Sequence, residues 1–264
     1  MTCTPRNRSA DAPRLSRGPR TSTAARLIRA EFKLTLRDPL VLTFVLVFPI
    51  VTMLIIGGAF GTSPDPAFDN VNPAHWYVAS YLTVVIAATG LVMLPVHLAS
   101  YRERGVLRRF AAAGFPRWSF AVAQLIVGLL TTAVACGLLL LVAAPVYGIP
   151  AMHDGWRVIA ALVLGAVGFV SLGVLLGSLL PSDRSAQAVG LLLFFPSFLL
   201  GAGGPPPNVM GSAVRHVAGP LPLTMLTNAV REPWLGLGNT TGTLVIVAGL
   251  AVVAAALAVR RTAL

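Results

Sequence analysis

The charged residues of this sequence with the clearest chemical consequence lie at positions 100–118, between two long apolar runs. This stretch carries five arginines together with Glu103. Placing each arginine at the centre of a bilayer would cost roughly 2.5–3.5 kcal/mol. The stretch is therefore expected to lie at a membrane surface, where its charges can contact headgroups or another protein.

The sequence contains no GxxxxGK[ST] phosphate loop, no HExxH motif and no GxSxG motif. Its four histidines are scattered and are interpreted as residues of the membrane interface. Cys3 lies in a polar tail and Cys136 in an apolar run, so neither a disulfide framework nor a metal site is predicted. No catalytic residue and no metal ligand is predicted.

The composition excludes a water-soluble fold. Of the 264 residues, 56% are hydrophobic and only 11% are charged, whereas soluble domains average about 25% charged residues. The net charge of +11 could suggest nucleic-acid binding. The basic residues cluster between apolar runs, however, which is typical of cytoplasmic loops of membrane proteins, so no nucleic-acid partner is expected.

Six apolar runs are each long enough to cross about 30 Å of hydrocarbon. With the N-terminus inside, 17 Lys and Arg residues fall on the cytoplasmic side and three outside. The positive-inside rule then predicts a multi-pass protein of the cell membrane with both termini in the cytoplasm. The runs cover residues 39–60, 76–98, 120–144, 158–180, 187–203 and 240–259.

Two segments precede the first run. Residues 1–22 are rich in Arg, Ser, Thr and Pro and are predicted to form a disordered basic tail, followed by a single six-span transmembrane domain over residues 23–264. Residues 23–38 predict an amphipathic helix in the membrane interface; the alternative is a cytoplasmic extension of the first span. Its basic face would carry Arg26, Arg29, Lys33 and Arg37, opposite Ile28, Phe32 and Leu36.

The third outer connection, residues 204–239, is longer than a turn requires and mostly apolar. It predicts two short helices that re-enter the membrane from outside, separated near Gly219 and Pro220; the alternative is an exposed loop. The residues singled out in this hairpin are Pro220, Pro222, Asn228, Arg231 and Glu232.

Aromatic anchors at the outer interface are expected at Trp76, Tyr77, Tyr147 and Trp156.

A helical projection of residues 102–112 gives the arginine stretch an amphipathic pattern. Val106, Leu107 and Phe110 share one side, and Glu103 falls among them. An unpaired carboxylate there would be costly, so we expect helix-end N–H groups to stabilise Glu103 from its place in the first turn. An arginine or hydroxyl of a neighbouring helix could complete its partners.

The six apolar runs contain no Asp, Glu, Lys or Arg. Proton-coupled carriers need ionisable groups in the membrane, so energy for any transport is expected to arrive mechanically from outside it. Two alternatives stay open, an ion-coupled carrier that uses backbone carbonyls and a membrane scaffold that transports nothing.

The order of these features resembles the type-2 ABC transporter permeases. The sequence Glu103-Arg-Gly105-Val-Leu107, followed by Arg109 and by Pro116 ahead of a new span, is similar to the stretch after the second span in that family. Arg37-Asp-Pro39 before the first span and the stretch from Leu221 to Arg231 before the sixth also resemble it. The resemblance covers residues 24–264 and implies an all-α membrane fold, with six spans, an interfacial helix, a cytoplasmic coupling helix and an extracellular re-entrant hairpin.

The resemblance further implies an exporter of drugs, antibiotics or lipid-like amphiphiles, with a role in drug efflux and antibiotic resistance. Two permease copies would pair, as a homodimer or alternatively a heterodimer, and two ATP-binding subunits would dock on their cytoplasmic face. ATP and Mg would bind those subunits, so this chain would bind no cofactor and have no ATPase site. The residues implied to couple it to the ATPase are Arg102, Glu103, Arg104, Gly105, Leu107, Arg108, Arg109, Phe110 and Pro116.

Overall fold

The computed structural model describes residues 29, 32–35, 37–106, 117–238 and 241–263. Within them, the backbone is helical apart from short connections and one isolated bridge between Asp65 and Val71. We number the helices α1 to α8. They are α1 (Val41–Ala59), α2 (Pro73–Glu103), α3 (Arg117–Tyr147), α4 (Gly155–Leu179), α5 (Asp183–Ala202), α6 (Ser212–Ala218), α7 (Pro222–Leu235) and α8 (Thr241–Ala263).

Six of these helices, α1 to α5 and α8, are long and apolar enough to cross a membrane. Each coincides with one of the six apolar runs, which confirms the predicted number of spans. The second helix is the main difference, because it continues through polar residues to Glu103, beyond the end of its apolar run at Leu98. The helix therefore extends past the segment that hydropathy alone would assign to the membrane.

The helix bundle has two ends, and we name each after an arginine that lies there. The Arg102 end contains Asp38, residues 102–105 and the connection between α4 and α5. The Arg231 end contains the α1–α2 loop together with α6 and α7. Helices α6 and α7 are separated by Gly219–Leu221, where the sequence predicted the break, and Pro222 occupies the first turn of α7. Whether these two helices enter the membrane stays a prediction.

Helix α2 is the centre of the bundle and is buried along nearly its whole length. Glycines on the surrounding helices allow the close approach. A Cβ on Gly173 of α4 would lie 2.3 Å from the carbonyl oxygen of Gly90, and one on Gly190 of α5 would lie 2.2 Å from that of Leu91. The Gly173–Gly177 pair thus packs within the molecule, as expected of small residues between membrane helices.

Three buried hydroxyl groups in α2 are satisfied by their own helix. The hydroxyls of Ser80, Thr83 and Thr89 donate to backbone carbonyls three or four residues earlier, over 2.6–2.9 Å. The Thr83 hydroxyl also lies 2.8 Å from that of Thr227 on α7. These local bonds remove the desolvation cost that a buried hydroxyl would otherwise carry.

Three of the four aromatic residues expected as interface anchors divide into two groups, and the fourth, Tyr147, is half-buried. Trp156 is 63% exposed, as an anchor facing lipid requires. Trp76 and Tyr77, in contrast, are 3% and 1% exposed, because Phe68 of the α1–α2 loop packs edge-on against both rings. These two residues belong to the protein core, and their interpretation as lipid-facing anchors is wrong.

Because Gly173 packs directly against Gly90, the stability of the protein should be sensitive to a larger residue at position 173. Gly173→Ala would force its new methyl group into the Gly90 carbonyl, so we expect a loss of about 1–3 kcal/mol of stability. The melting temperature of the purified protein in detergent, followed by size-exclusion chromatography after heating, measures this loss.

Gly249→Ala is the matched control, since nothing lies within 4 Å of a Cβ at that position of α8. It should leave the melting temperature unchanged or raise it, because alanine favours a helix. Equal effects of the two substitutions would contradict the proposed close packing of α2 and α4.

Candidate functional site at the Arg102 end

The end of α2 is formed by four residues that the sequence analysis singled out. The helix ends at Glu103, and Gly105 adopts a left-handed backbone with a φ of 68°, a conformation that favours glycine at a helix end. The Arg104 side chain is exposed and makes no hydrogen bond or ion pair within the described part of the chain, while its backbone N–H donates to the Ser100 carbonyl over 3.0 Å. Glu103 thus lies in the last turn of α2, and its expected place in the first turn of a new helix is wrong.

Arg102 binds the C-terminus of α4. Its Nη1 atom donates to the carbonyl oxygens of Gly177, Ser178 and Leu180, at 3.3 Å for the first and 3.2 Å for the last. The last carbonyls of a helix have no partner within it and carry a partial negative charge. The guanidinium therefore supplies both the missing donors and a favourable charge.

Glu103 contacts the N-terminus of α5. Its Oε2 atom accepts a hydrogen bond from the backbone N–H of Asp183 over 3.2 Å. Ser182 and Ser185 form a capping box at the same terminus. The expectation that helix-end N–H groups stabilise Glu103 is met, but by α5 and not by its own helix.

Arg102 and Glu103 together join α2 to both sides of the α4–α5 connection. The cation meets the negative end of α4 and the anion meets the positive end of α5. Both side chains are exposed, so solvent screens these contacts. The two side chains thus connect the end of α2 to both helix ends that flank the α4–α5 connection.

Asp38 makes a second connection to α2 at the same end. Its Oδ2 atom accepts a hydrogen bond from His97 Nε2 over 2.9 Å, and its Oδ1 atom accepts one from the Leu40 N–H over 2.8 Å. The His97 hydrogen bond is the main reason that the pKa of Asp38 lies below its usual value of 3.8. The residue before Pro39 thus ties the start of α1 to α2.

The remaining predicted coupling residues, Leu107, Arg108, Arg109, Phe110 and Pro116, lie outside the described residues, as does Arg26. In the predicted interfacial helix, residues 32–35 are helical and Arg37 lies in the turn that follows. Arg29 and Lys33 are exposed and Phe32 is half-buried. Thr35 is 3% exposed while Leu34 is 61% exposed. The amphipathic interfacial helix stays a prediction.

Three of the predicted hairpin residues meet at the Arg231 end. Asn228, Arg231 and Glu232, all on α7, line a cavity of about 430 Å³. Arg231 is 5% exposed, and its guanidinium lies 3.7 Å from the centre of the Trp76 ring. A cation held over an aromatic face in this way is stabilised by the ring's electrons. The two prolines of the prediction, Pro220 and Pro222, are exposed at the break before α7.

The family comparison agrees with this architecture. The family model described as ABC-2 type transporter matches residues 24–234, which is most of the chain. The chain belongs to the ABC-2 type transporter family. Comparisons with curated proteins and with solved structures found no match.

Membership of the ABC-2 family makes this chain a multi-pass membrane permease component of an ABC transporter, distinct from the ATPase. It also implies pairing with an ATP-binding ABC subunit. The matched region includes Asp38, Arg102, Glu103 and all of α7 apart from its last residue. The family resemblance given by the sequence is thereby confirmed.

Two features of the ABC-2 chain were missed by sequence reasoning. The bond between Asp38 and His97 joins residues 59 positions apart, and no local pattern marks such a pair. The burial of Arg231 had a partial signal, because the apolar residues of α7 recur at helical spacing at Leu223, Leu226 and Val230. That stripe predicts a buried face, although it does not say whether protein or lipid covers it.

Glu103→Ala would leave the Asp183 N–H without its acceptor. We expect faster amide hydrogen exchange at the start of α5, by several-fold, because the first turn of a helix depends on such acceptors. Hydrogen–deuterium exchange with mass spectrometry of peptides covering residues 180–190 measures the change. Arg104→Ala is the matched control and should leave this exchange unchanged; equal rates in both variants would contradict the assigned contact.

Asp38→Asn tests the second connection. At neutral pH, we expect it to cost about 1 kcal/mol of stability, because a partly buried charge-assisted hydrogen bond is lost. Since folding lowers the pKa of Asp38, its stabilisation is present above the usual pKa of 3.8 and is lost as the pH falls through the lowered value. The melting temperature measured over a pH series should therefore fall less steeply in acid for the variant.

The double variant Asp38→Asn/His97→Asn separates this pair from general effects. If the two side chains stabilise the protein through their contact with each other, the double variant should lose less stability than the sum of the losses in the two single variants. Strictly additive losses would contradict the pairing.

Proposed function

We propose that this permease exports a hydrophobic or amphiphilic substrate, such as a drug, an antibiotic or a lipid-like molecule, using ATP hydrolysed by a separate subunit. In this proposal, the Arg102 end faces the cytoplasm, together with both termini, and the Arg231 end faces outward. The excess of Lys and Arg in the segments assigned to the inside supports this orientation.

The observation that carries the proposal is the double contact of Arg102 and Glu103 with the α4–α5 connection. A force applied beside Gly105 would act on α2, α4 and α5 together, since these residues link all three helix ends. The segment that follows, with Arg108 and Arg109, supplies basic residues for contact with an ATP-binding subunit.

The assembly that we propose contains two permease copies and two ATP-binding subunits. A homodimer of this chain is the simpler case, and a heterodimer the alternative. ATP and Mg would bind the partner subunits, since the phosphate-loop motif is missing from this sequence. The predicted interfacial helix, with Arg29, Lys33 and Arg37, would form a second contact with the same partner.

A reconstitution experiment tests this proposal. The permease is placed in liposomes with its ATP-binding subunit, and ATP hydrolysis is measured alongside ATP-dependent movement of a fluorescent amphiphilic dye. We expect Glu103→Ala and Arg108→Ala each to lower dye movement per ATP hydrolysed at least fivefold, because the link between the partner and the spans is weakened.

Arg260→Ala is the control, since Arg260 is an exposed arginine near the end of α8 at the same end of the bundle. It should leave the ratio of dye moved to ATP hydrolysed unchanged. If Glu103→Ala and Arg108→Ala leave complex formation and transport intact, the assigned coupling is wrong. Dye movement without the ATPase, driven by an imposed proton or sodium gradient, would favour an ion-coupled carrier, and a complete lack of movement would favour a scaffold.

A further inference from the structure

The cavity at the Arg231 end has no role in the coupling described above. Its lining combines α6, α7, the α1–α2 loop and the end of α5. Its volume of about 430 Å³ falls within the range of small-molecule pockets, about 300–1,000 Å³. The cavity is therefore large enough for a small organic group.

Four charged side chains line this cavity, two of each sign. Arg231 and Glu232 lie on α7, Arg215 lies on α6, and Asp69 lies in the α1–α2 loop. Among the described residues, none of the four forms an ion pair within 4.0 Å, whereas Asp38 and Asp154 elsewhere do pair with a base. Arg231 interacts electrostatically with Glu232 and Asp69 without forming a close ion pair. A ligand that carries both signs would complement all four side chains.

A buried cation of α7 lies at the floor of the cavity. Arg231 is 5% exposed, its Nη2 atom donates to Asn228 Oδ1 over 2.7 Å, and its Nε atom has no hydrogen-bond partner among the described residues. The Thr224 hydroxyl, one turn from Asn228, is also enclosed and without a partner. Both atoms are enclosed by protein, so the charge of Arg231, and not a bond to either atom, is what the cavity offers to an anionic group. Burial lowers the pKa of Arg231 to about 10, so the guanidinium is charged at neutral pH.

Arg215 and Asp69 form the exposed rim of the cavity, and polar contacts hold both side chains in place without neutralising their charges. Arg215 Nη2 donates to the Met210 carbonyl over 3.0 Å, which leaves its other guanidinium nitrogens free to bind a ligand. Asp69 Oδ1 accepts a hydrogen bond from Asn208 Nδ2 over 2.8 Å. Both Asp69 and Arg215 are exposed, so a ligand from solution or from the membrane surface can reach them.

We propose that this cavity binds a compact zwitterion in which an anionic phosphate group is joined to a primary ammonium. The phosphate would lie toward Arg231 and Arg215, because guanidinium groups match phosphate oxygens in geometry and charge. The ammonium would lie toward Glu232 and Asp69. The chemistry is that of phosphoethanolamine, which occurs both as a lipid headgroup and as a free small molecule.

Binding of soluble glycerophosphoethanolamine to the purified full-length protein tests the proposal, with isothermal titration calorimetry as the measurement. We expect saturable binding at millimolar concentration or below. Glycerol 3-phosphate, which lacks the ammonium, and ethanolamine, which lacks the phosphate, should each bind at least fivefold more weakly. No binding of the zwitterion, or equal binding of all three probes, would overturn the proposal.

Two charge-removing variants assign the two ends of the ligand. Arg215→Gln should weaken the zwitterion at least fivefold and weaken glycerol 3-phosphate as well. Glu232→Gln should also weaken the zwitterion at least fivefold, but it should strengthen glycerol 3-phosphate, because a like charge near the phosphate is removed. The matched control, His216→Gln, changes the exposed residue next to Arg215 that does not line the cavity, and it should change neither affinity.

A further arm distinguishes the two sources of the ligand. The protein is purified from nanodiscs that contain equal amounts of phosphatidylethanolamine and phosphatidylglycerol, and the lipids retained are counted by native mass spectrometry. Enrichment of phosphatidylethanolamine that Glu232→Gln abolishes would identify a lipid headgroup. Binding of the soluble zwitterion without such enrichment would identify a free molecule. If the variants alter neither the soluble nor the lipid binding relative to His216→Gln, the cavity is not the site.

Discussion

The close packing of α2 against its neighbours is the constraint on which the rest of this structure depends. Lipid supplies no water to bind backbone groups and no hydrophobic force between helices, so membrane helices associate by tight contact. Gly173 and Gly190 let α4 and α5 approach the α2 backbone to distances at which a side chain could not fit. Because α4 and α5 both lie against α2, their joined ends come within reach of Arg102 and Glu103. The contacts of Arg102 and Glu103 are thus a consequence of the packing in the middle of the bundle.

The two ends of α2 have different polar chemistry. At one end, Arg102 and Glu103 are exposed and bind helix termini, where the contacts are screened but the partners are fixed. At the other end, Trp76 lies beneath a buried guanidinium of α7 and beside a cavity with charges of both signs. One helix therefore connects an exposed pair of opposite charges at one end with a cavity lined by both signs of charge at the other.

The spans could be predicted from the sequence because length and apolarity follow directly from the thickness of a bilayer. The break near Gly219 was predictable for a similar reason, since glycine and proline interrupt helices locally. The partners of Glu103 and the burial of Arg231 were not, because they depend on which helices lie side by side. The end of α2 shows the same limit, since hydropathy marks where lipid ends, whereas the helix continues for as long as its backbone bonds can form.

The hydroxyl bonds of α2 have a consequence for the biosynthesis of the protein. A central helix that the finished bundle buries along nearly its whole length must still enter the bilayer before its later neighbours α4 and α7 exist to cover it. Ser80, Thr83 and Thr89 already find acceptors on their own helix, so these three hydroxyls are not left unmet in lipid at that stage. The same residues therefore suit hydrocarbon during insertion and protein afterwards, and assembly adds the contact between Thr83 and Thr227.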